Sequence, residues 1–373
     1  MPNNNMKKIP LIKPYITDAV KARVCDVLDS GFLTEGPVTR EFEDKVKQYI
    51  GCDHALAVTS CTTGLEIALR SIGIQAGDEV IIPDYTYPAT ADAIAIVGAK
   101  TIIVDVDPDT MNIDYRALEK AITPQTKAIL PVSIFGNPLD YSRLNQIKQK
   151  YELIIIEDAA CSIGARYQGE PVGNLADISV FSLHPRKFIT TGEGGMITTN
   201  NSQWADWILS YKHFGMGTKD SRLTANFERI GTNSKMSDLL AAVALVQMDN
   251  IDDMLSRRRE LAENYIELLK DDPNVQLPLI TPDGQHSYQS FCVFIKKRNA
   301  VMEKLRNQGI EVQIGTYALH MHKAFHANSN CRIQFDMPGS RFAFHHCLVL
   351  PLYHDLTFDE QNYIVHQLKK EIS

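Results

Sequence analysis

Ser182-Leu-His-Pro-Arg-Lys187-Phe-Ile-Thr-Thr-Gly-Glu-Gly-Gly195 sets one lysine in a polar loop between two short apolar runs, 178–181 and 196–199. Such runs, bounded by polar and glycine-rich sequence, read as buried strands. Three glycines within residues 192–195 let backbone approach a ligand closely, and the Ser182 hydroxyl offers a donor to a phosphate. A tight turn carrying an exposed lysine accounts for the same residues, so this loop alone leaves both readings open.

Outward from that loop the same grammar repeats. Short apolar runs recur at 55–58, 80–82, 101–104, 128–132 and 153–156, with helically spaced stretches at 64–72, 115–122 and 141–151 between them. Alternating helix and nearly continuous apolar strand predicts an α/β fold, a mostly parallel sheet covered on both faces by helices. Two helices precede it, 18–28 and 40–50, punctuated by Gly31 and Gly36-Pro37. Beyond the sheet come two long helices, 236–248 and 252–269. After the proline-rich segment 277–282 follow a strand (288–295), a helix (299–308) and a short strand (311–314). The expected organisation is a large domain over residues 1–250 and a smaller α+β domain over 251–373. Arg257, Arg258 and Arg259 read as a solvated helix face.

Composition narrows the class. The 373 residues exceed what one small core needs, and 44% hydrophobic with 22% charged residues is ordinary for a soluble globular protein. A net charge of −7 argues against a nucleic-acid surface, while leaving room for a local basic pocket. No apolar run has the length of a bilayer span, and residues 1–8 lack the apolar stretch of a signal peptide. The seven cysteines, Cys25, Cys52, Cys61, Cys161, Cys292, Cys331 and Cys347, stand singly with no CxxC pair. That indicates neither a zinc ribbon nor a dithiol redox motif, and it fits a reduced cytoplasmic protein.

Three further segments carry candidate chemistry. Glu157-Asp158 ends a buried strand, where ligands of parallel sheets bind; a carboxylate there either neutralises a protonated pyridine nitrogen or caps the next turn. Thr59-Ser-Cys-Thr62-Thr63-Gly64-Leu65 joins a strand to a helix, either an anion site or a plain N-cap. Pro83-Asp-Tyr85-Thr-Tyr87-Pro-Ala-Thr90 offers an aromatic that stacks on a flat ring or simply fills the core. Together an anion site, an aromatic, a carboxylate and a lysine follow successive strands of one sheet. That is the constellation a pyridoxal phosphate pocket requires.

At this point the sequence resembles the DegT/DnrJ/EryC1/StrS sugar aminotransferases, over nearly its whole length. The resemblance runs through Ser30-Gly-Phe-Leu-Thr-Glu-Gly-Pro37, Gly77-Asp-Glu-Val-Ile-Ile-Pro83, Val104-Asp-Val-Asp-Pro108, the lysine loop, Gly231-Thr-Asn-Ser-Lys-Met-Ser-Asp238 and Leu350-Pro-Leu-Tyr353. It implies the fold-type-I architecture of the aspartate aminotransferase superfamily, with pyridoxal 5′-phosphate as cofactor. Lys187 would carry the cofactor as a Schiff base, Asp158 would pair with the pyridine nitrogen, and Tyr87 would stack on the ring. Thr62, Thr63 and Ser182 would hold the phosphate, and Asn233 would reach the phosphate of the neighbouring subunit of a homodimer.

The resemblance implies transfer of an amino group, from an amino acid such as L-glutamate, to a keto-sugar for amino-sugar biosynthesis. The expected acceptor is a nucleotide-linked 4-keto-6-deoxy-hexose. A cyclitol or free keto-sugar acceptor stays open, as does a non-catalytic regulatory protein; the intact pair of Lys187 and Asp158 argues against the latter. His184, Lys219, Arg229 and His320 are the substrate-side candidates, with Arg222 beside Lys219 in a polar stretch, 215–229, that suits a nucleotide diphosphate. His320 and His322 with His326 have metal-like spacing, but a substrate contact by His320 is the preferred reading and no metal is expected. Three positions depart from the family pattern: Cys161 stands where histidine or glutamine is usual, Ser133 where histidine is, and Lys235 where arginine is.

Overall fold

The computed structural model describes residues 8–217 and 226–373. Seven strands before residue 200 build the main sheet: β1 (His54–Val58), β2 (Glu79–Pro83), β3 (Lys100–Val104), β4 (Thr126–Ile129), β5 (Ile154–Asp158), β6 (Ile178–Ser182) and β7 (Gly195–Thr199). Their order is β1-β7-β6-β5-β4-β2-β3, with Cys331–Ile333 as an eighth strand beside β3. Only β7 runs against its neighbours; the pairs β6–β5, β5–β4, β4–β2 and β2–β3 are parallel. Alternate side chains enter opposite cores: Ile81, Ile102, Ile129 and Ile155 join one apolar cluster, Val80, Ile103, Ala128 and Ile156 the other. This two-faced burial explains why the strands lack a polar face.

A second, four-stranded antiparallel sheet is ordered Val275–Gln276, Phe291–Ile295, Cys347–Leu350, Gln313–Ile314. Helices Ile251–Leu269 and Phe358–Ile372 cover it through Leu261, Tyr265, Leu269, Ile364 and Leu368.

Besides helices that the sequence reading did not mark, such as Ala89–Ile96, Ser202–Lys212 and Phe358–Ile372, two features depart from it. Cys331–Ile333 returns from this region to pair in parallel with β3, a crossing no periodicity announces because three residues are too few to show one. Arg258 is not on a solvated face. It lies within the buried stripe Met254, Leu255, Arg258, Leu261, Ala262 and Tyr265, and burial lowers its guanidinium to about 10. It is tolerated there because it donates to the Tyr288, Gln289 and Leu352 carbonyls at 2.6, 3.1 and 3.1 Å. No helix among the described residues is long and apolar enough to cross a membrane.

Candidate active site

The carboxyl ends of β1, β2, β5 and β6 and the start of the antiparallel β7 lie at one end of the sheet, and the segments singled out in the sequence emerge there. β5 alternates its two acids between faces. Glu157 turns into the core, where Tyr141 Oη and Ser179 Oγ donate to it at 2.6 and 3.0 Å and Ser133 Oγ donates as well. Burial raises its carboxyl despite these donors. Ser133 is thereby committed to a structural bond.

Asp158 faces the other way, toward the helix Cys61–Ser71. Thr90 Oγ1 donates to Oδ2 at 2.8 Å and the Ala160 amide to Oδ1 at 3.2 Å; Cys61 Sγ lies 3.9 Å from Oδ1. Burial holds Asp158 above the usual carboxylate range, against the pull of these donors and of Lys187. A buried carboxylate with few hydrogen bonds is a receptor for a cation, which a pyridinium nitrogen supplies.

Lys187 Nζ lies 3.0 Å from Cys161 Sγ. Burial pulls the amine down, but Cys161, Cys61 and Asp158 together hold it above its ordinary value. Lysine, aspartate and both thiols therefore form one cluster, although three separate segments of chain supply them.

The candidate for the phosphate side is a helix N-terminus. Ser60 caps the helix Cys61–Ser71, its Oγ accepting from the Thr63 amide at 3.1 Å and lying 2.9 Å from Thr63 Oγ1. Thr62 occupies the same first turn, leaving backbone N–H groups and two hydroxyls at the positive end of the helix. Gly195, opening β7, is packed against this turn: a Cβ there would lie 2.6 Å from the Ser60 carbonyl carbon and 2.7 Å from the Cys61 nitrogen. Ser182, ending β6, accepts from the His184 amide at 3.4 Å. Carboxylate, lysine and helix terminus thus fit the three poles of pyridoxal 5′-phosphate.

The remaining candidates are more dispersed. Tyr87 is 64% exposed, tilted against Tyr317 at 6.1 Å between ring centroids. Asn233 is exposed, bridges to His213, and its Oδ1 accepts from Lys235 Nζ at 2.6 Å. His184 Nδ1 accepts from the Arg186 amide at 3.2 Å, and burial lowers its ring. Arg229 pairs with Glu228 at 3.6 Å, its guanidinium 5.7 Å from the Trp207 ring centre. Lys219 and Arg222 lie outside the described residues. His320 Nδ1 is bonded to the fully buried Asp84 at 2.6 Å, and its amide donates to the same carboxylate at 2.7 Å. His322 stands edge-on to Tyr317 and Phe344 instead of converging with His320.

Sequence reasoning missed Thr90, Cys61 and Asp84, and two glutamines, Gln247 and Gln289, that bond the backbone of the lysine loop. Thr90 sat within a quoted motif. The glutamines carry no local signal, because their partners lie 57 and 101 residues away.

Residues 14–369 match the DegT/DnrJ/EryC1/StrS aminotransferase family. The chain is 32% identical over 375 residues to the spore coat polysaccharide biosynthesis protein SpsC of Bacillus subtilis, covering 97% of this chain and 96% of SpsC. The PMP form of Spr1654 from Streptococcus pneumoniae, described as a putative sugar aminotransferase, has a TM-score of 0.91 at 29% identity, over 97% of this chain and 98% of that one. Helicobacter pylori PseC, an aminotransferase involved in the biosynthesis of pseudoaminic acid, has a TM-score of 0.92 at 26% identity, over 98% and 99%. Matched along nearly its whole length, with a half-buried lysine, a buried aspartate and a helix terminus that fit the cofactor's chemistry, this chain belongs to the DegT/DnrJ/EryC1/StrS family and is a pyridoxal-phosphate-dependent sugar aminotransferase of fold type I.

Proposed function

We propose that the enzyme moves the amino group of L-glutamate to a nucleoside-diphosphate-linked 4-keto-6-deoxy-hexose, in the cytoplasm, for a surface polysaccharide or a secondary metabolite. The observation that carries the catalytic part is the cluster of Lys187, Cys161, Cys61 and Asp158 at the carboxyl end of the sheet. Likeness to a sugar aminotransferase, to an aminotransferase of pseudoaminic acid biosynthesis and to a polysaccharide biosynthesis protein supports a sugar acceptor, and seven unpaired thiols suit a reducing compartment.

Bound pyridoxal 5′-phosphate supplies an aldehyde carbon for the amine and a ring that accepts electrons. Lys187 would hold the cofactor through Nζ, and its free amine would serve as general base and acid, taking up or giving a proton at Nζ. Asp158 would keep the ring nitrogen protonated, with Thr90 and the Ala160 amide fixing the carboxylate's orientation. Thr62, Thr63 and Ser182 would bind the phosphate, Tyr87 would stack on the ring, and Cys161 would line the pocket beside Lys187. Asn233 reaches into the neighbouring subunit of a homodimer. Phe32, Leu33 and Ile230, the last 95% exposed, are apolar groups that such a contact would cover. His184, His320 and Arg229 would contact the substrates, as would Lys219, which lies outside the described residues, and residues 251–373 would act as the smaller lobe.

Loading the protein with pyridoxamine 5′-phosphate and screening keto-sugars for return of visible absorbance tests the acceptor. We expect nucleotide-linked 4-keto-hexoses to respond. A response confined to free keto-sugars or inososes would overturn the substrate class.

A further inference from the structure

The loop 183–194 satisfies only part of its backbone internally: Lys187 N donates to the His184 carbonyl at 2.7 Å, and Leu183 and Thr191 close the loop base. Side-chain amides from elsewhere supply further partners. Gln289 Oε1 accepts from the Phe188 amide at 2.7 Å while its Nε2 donates to the Arg186 carbonyl at 2.6 Å. Gln247 makes the analogous pair with both backbone groups of Thr190, at 3.0 and 2.7 Å.

We propose that Gln289 is a positioning residue for Lys187, a single planar amide that grips the chain on both sides of the lysine and ties it to the second sheet. Of the two glutamines, Gln289 straddles Lys187, whereas Gln247 grips Thr190, three residues past the lysine. An amide presents an acceptor and a donor together, as a neighbouring strand would, so two bonds fix the peptide units either side of the lysine Cα. Gln289 is buried, which makes either lost bond a buried unpaired group. Its own carbonyl accepts from Arg258, whose guanidinium also lies 5.3 Å from the ring centre of Phe188, the residue after the lysine. Gln289 enters the strand Phe291–Ile295 two residues later, so the lysine is held by the second sheet as well as by its own loop. Aim of the amine governs reaction with a carbonyl steeply. The inference rests on Lys187 being the cofactor lysine.

Gln289→Glu separates positioning from bulk stability. A protonated glutamic acid keeps one donor and one acceptor in nearly the glutamine shape; an ionised one only accepts and opposes the Arg186 carbonyl. Burial raises such a carboxyl, while Arg258 and Arg186 oppose that rise; His184, which accepts from the Arg186 amide, and His286, which accepts from the Tyr288 amide, are present in mutant and wild type alike. Two rates are measured at pH 5.5 and 8.5, each relative to wild type at the same pH: amide exchange at Phe188, and capture of pyridoxal 5′-phosphate by the cofactor-free protein. At pH 8.5 we expect exchange to rise about a hundredfold and capture to slow about tenfold or more. At pH 5.5 both should return to within about threefold of wild type, a rescue that a merely structural role would not produce. Wild-type ratios at pH 8.5, or equal impairment at both pH values, would overturn the proposal. If Gln289→Glu does not fold, Gln289→Met keeps the length without either bond, and unchanged exchange at Phe188 there overturns it equally. Borohydride labelling of another lysine would sink the cofactor reading but leave the exchange result standing, so the two failures are distinguishable.

Discussion

At the scale of single residues, the fate of Lys187 and Asp158 decides the chemistry. Lys187→Ala should abolish turnover and the visible absorbance of the bound cofactor, and borohydride trapping of wild type followed by peptide mapping should label Lys187. Asp158→Asn removes a charge at nearly constant shape, so the half-reaction with glutamate should slow by orders of magnitude in stopped-flow absorbance. The same substitution has an opposite effect on stability. Burial raises the folded-state pKa of Asp158, so above its unfolded value of about 3.9 the cofactor-free folded chain binds more protons than the unfolded one, and stability falls as pH rises through that window. Cofactor-free Asp158→Asn should therefore melt higher than wild type at neutral pH and converge with it in acid. A mutant that melts lower at pH 7 would mean that the Thr90 and Ala160 bonds outweigh desolvation. Ser133→Ala should cost about 1 kcal/mol by removing one donor to Glu157. It should leave the glutamate half-reaction within a fewfold of wild type; a larger drop would give that hydroxyl a chemical role. The lysine and aspartate were readable in the sequence because each sits in a contiguous motif. Thr90 and Cys61 were quoted but not given a role, since nothing local shows a side chain pointing at a carboxylate 68 or 97 residues away.

At the scale of elements, the parallel strands and their helices were legible because burial on both faces writes continuous apolar runs, with helical spacing between them. Arg258 was misread for an instructive reason. Three consecutive arginines look solvated, yet at 100° per residue they point in three directions, and the helix Ile251–Leu269 turns the middle one inward with Met254 and Leu261. The packing of Gly195 on the turn at Ser60 is also invisible locally, though it is open to test. In Gly195→Ala the new methyl meets backbone on the helix N-terminus, which cannot yield as a flexible side chain would. We expect the dissociation constant for pyridoxal 5′-phosphate to rise at least about tenfold as the phosphate-binding turn is displaced. Unchanged affinity by fluorescence titration would detach that turn from the phosphate.

At the scale of the whole molecule, the proposed reach of Asn233 into a neighbouring subunit predicts that assembly and cofactor affinity move together. Sedimentation should show a dimer or a multiple of one, and dilution into monomer should release cofactor; a fully active monomer would rule this out. Substituting Lys219, Arg222 and Arg229 together with alanine should raise the KM for a nucleotide sugar and spare the glutamate half-reaction, and an unchanged KM would move the nucleotide elsewhere. The short strand Cys331–Ile333 bears on a different property. By crossing back to lie beside β3, it makes residues far along the chain the outermost member of a sheet begun near residue 54. A fragment ending at residue 250 would therefore leave β3 as a bare rim, with unpaired backbone ready to recruit another chain. Such a fragment should precipitate when expressed alone and be rescued by co-expression of residues 251–373. For the same reason the intact subunit should unfold in one calorimetric transition instead of two. Ribosomal synthesis would then leave that rim open until the C-terminal third has emerged, which makes the interval before release the period when this protein most needs a chaperone.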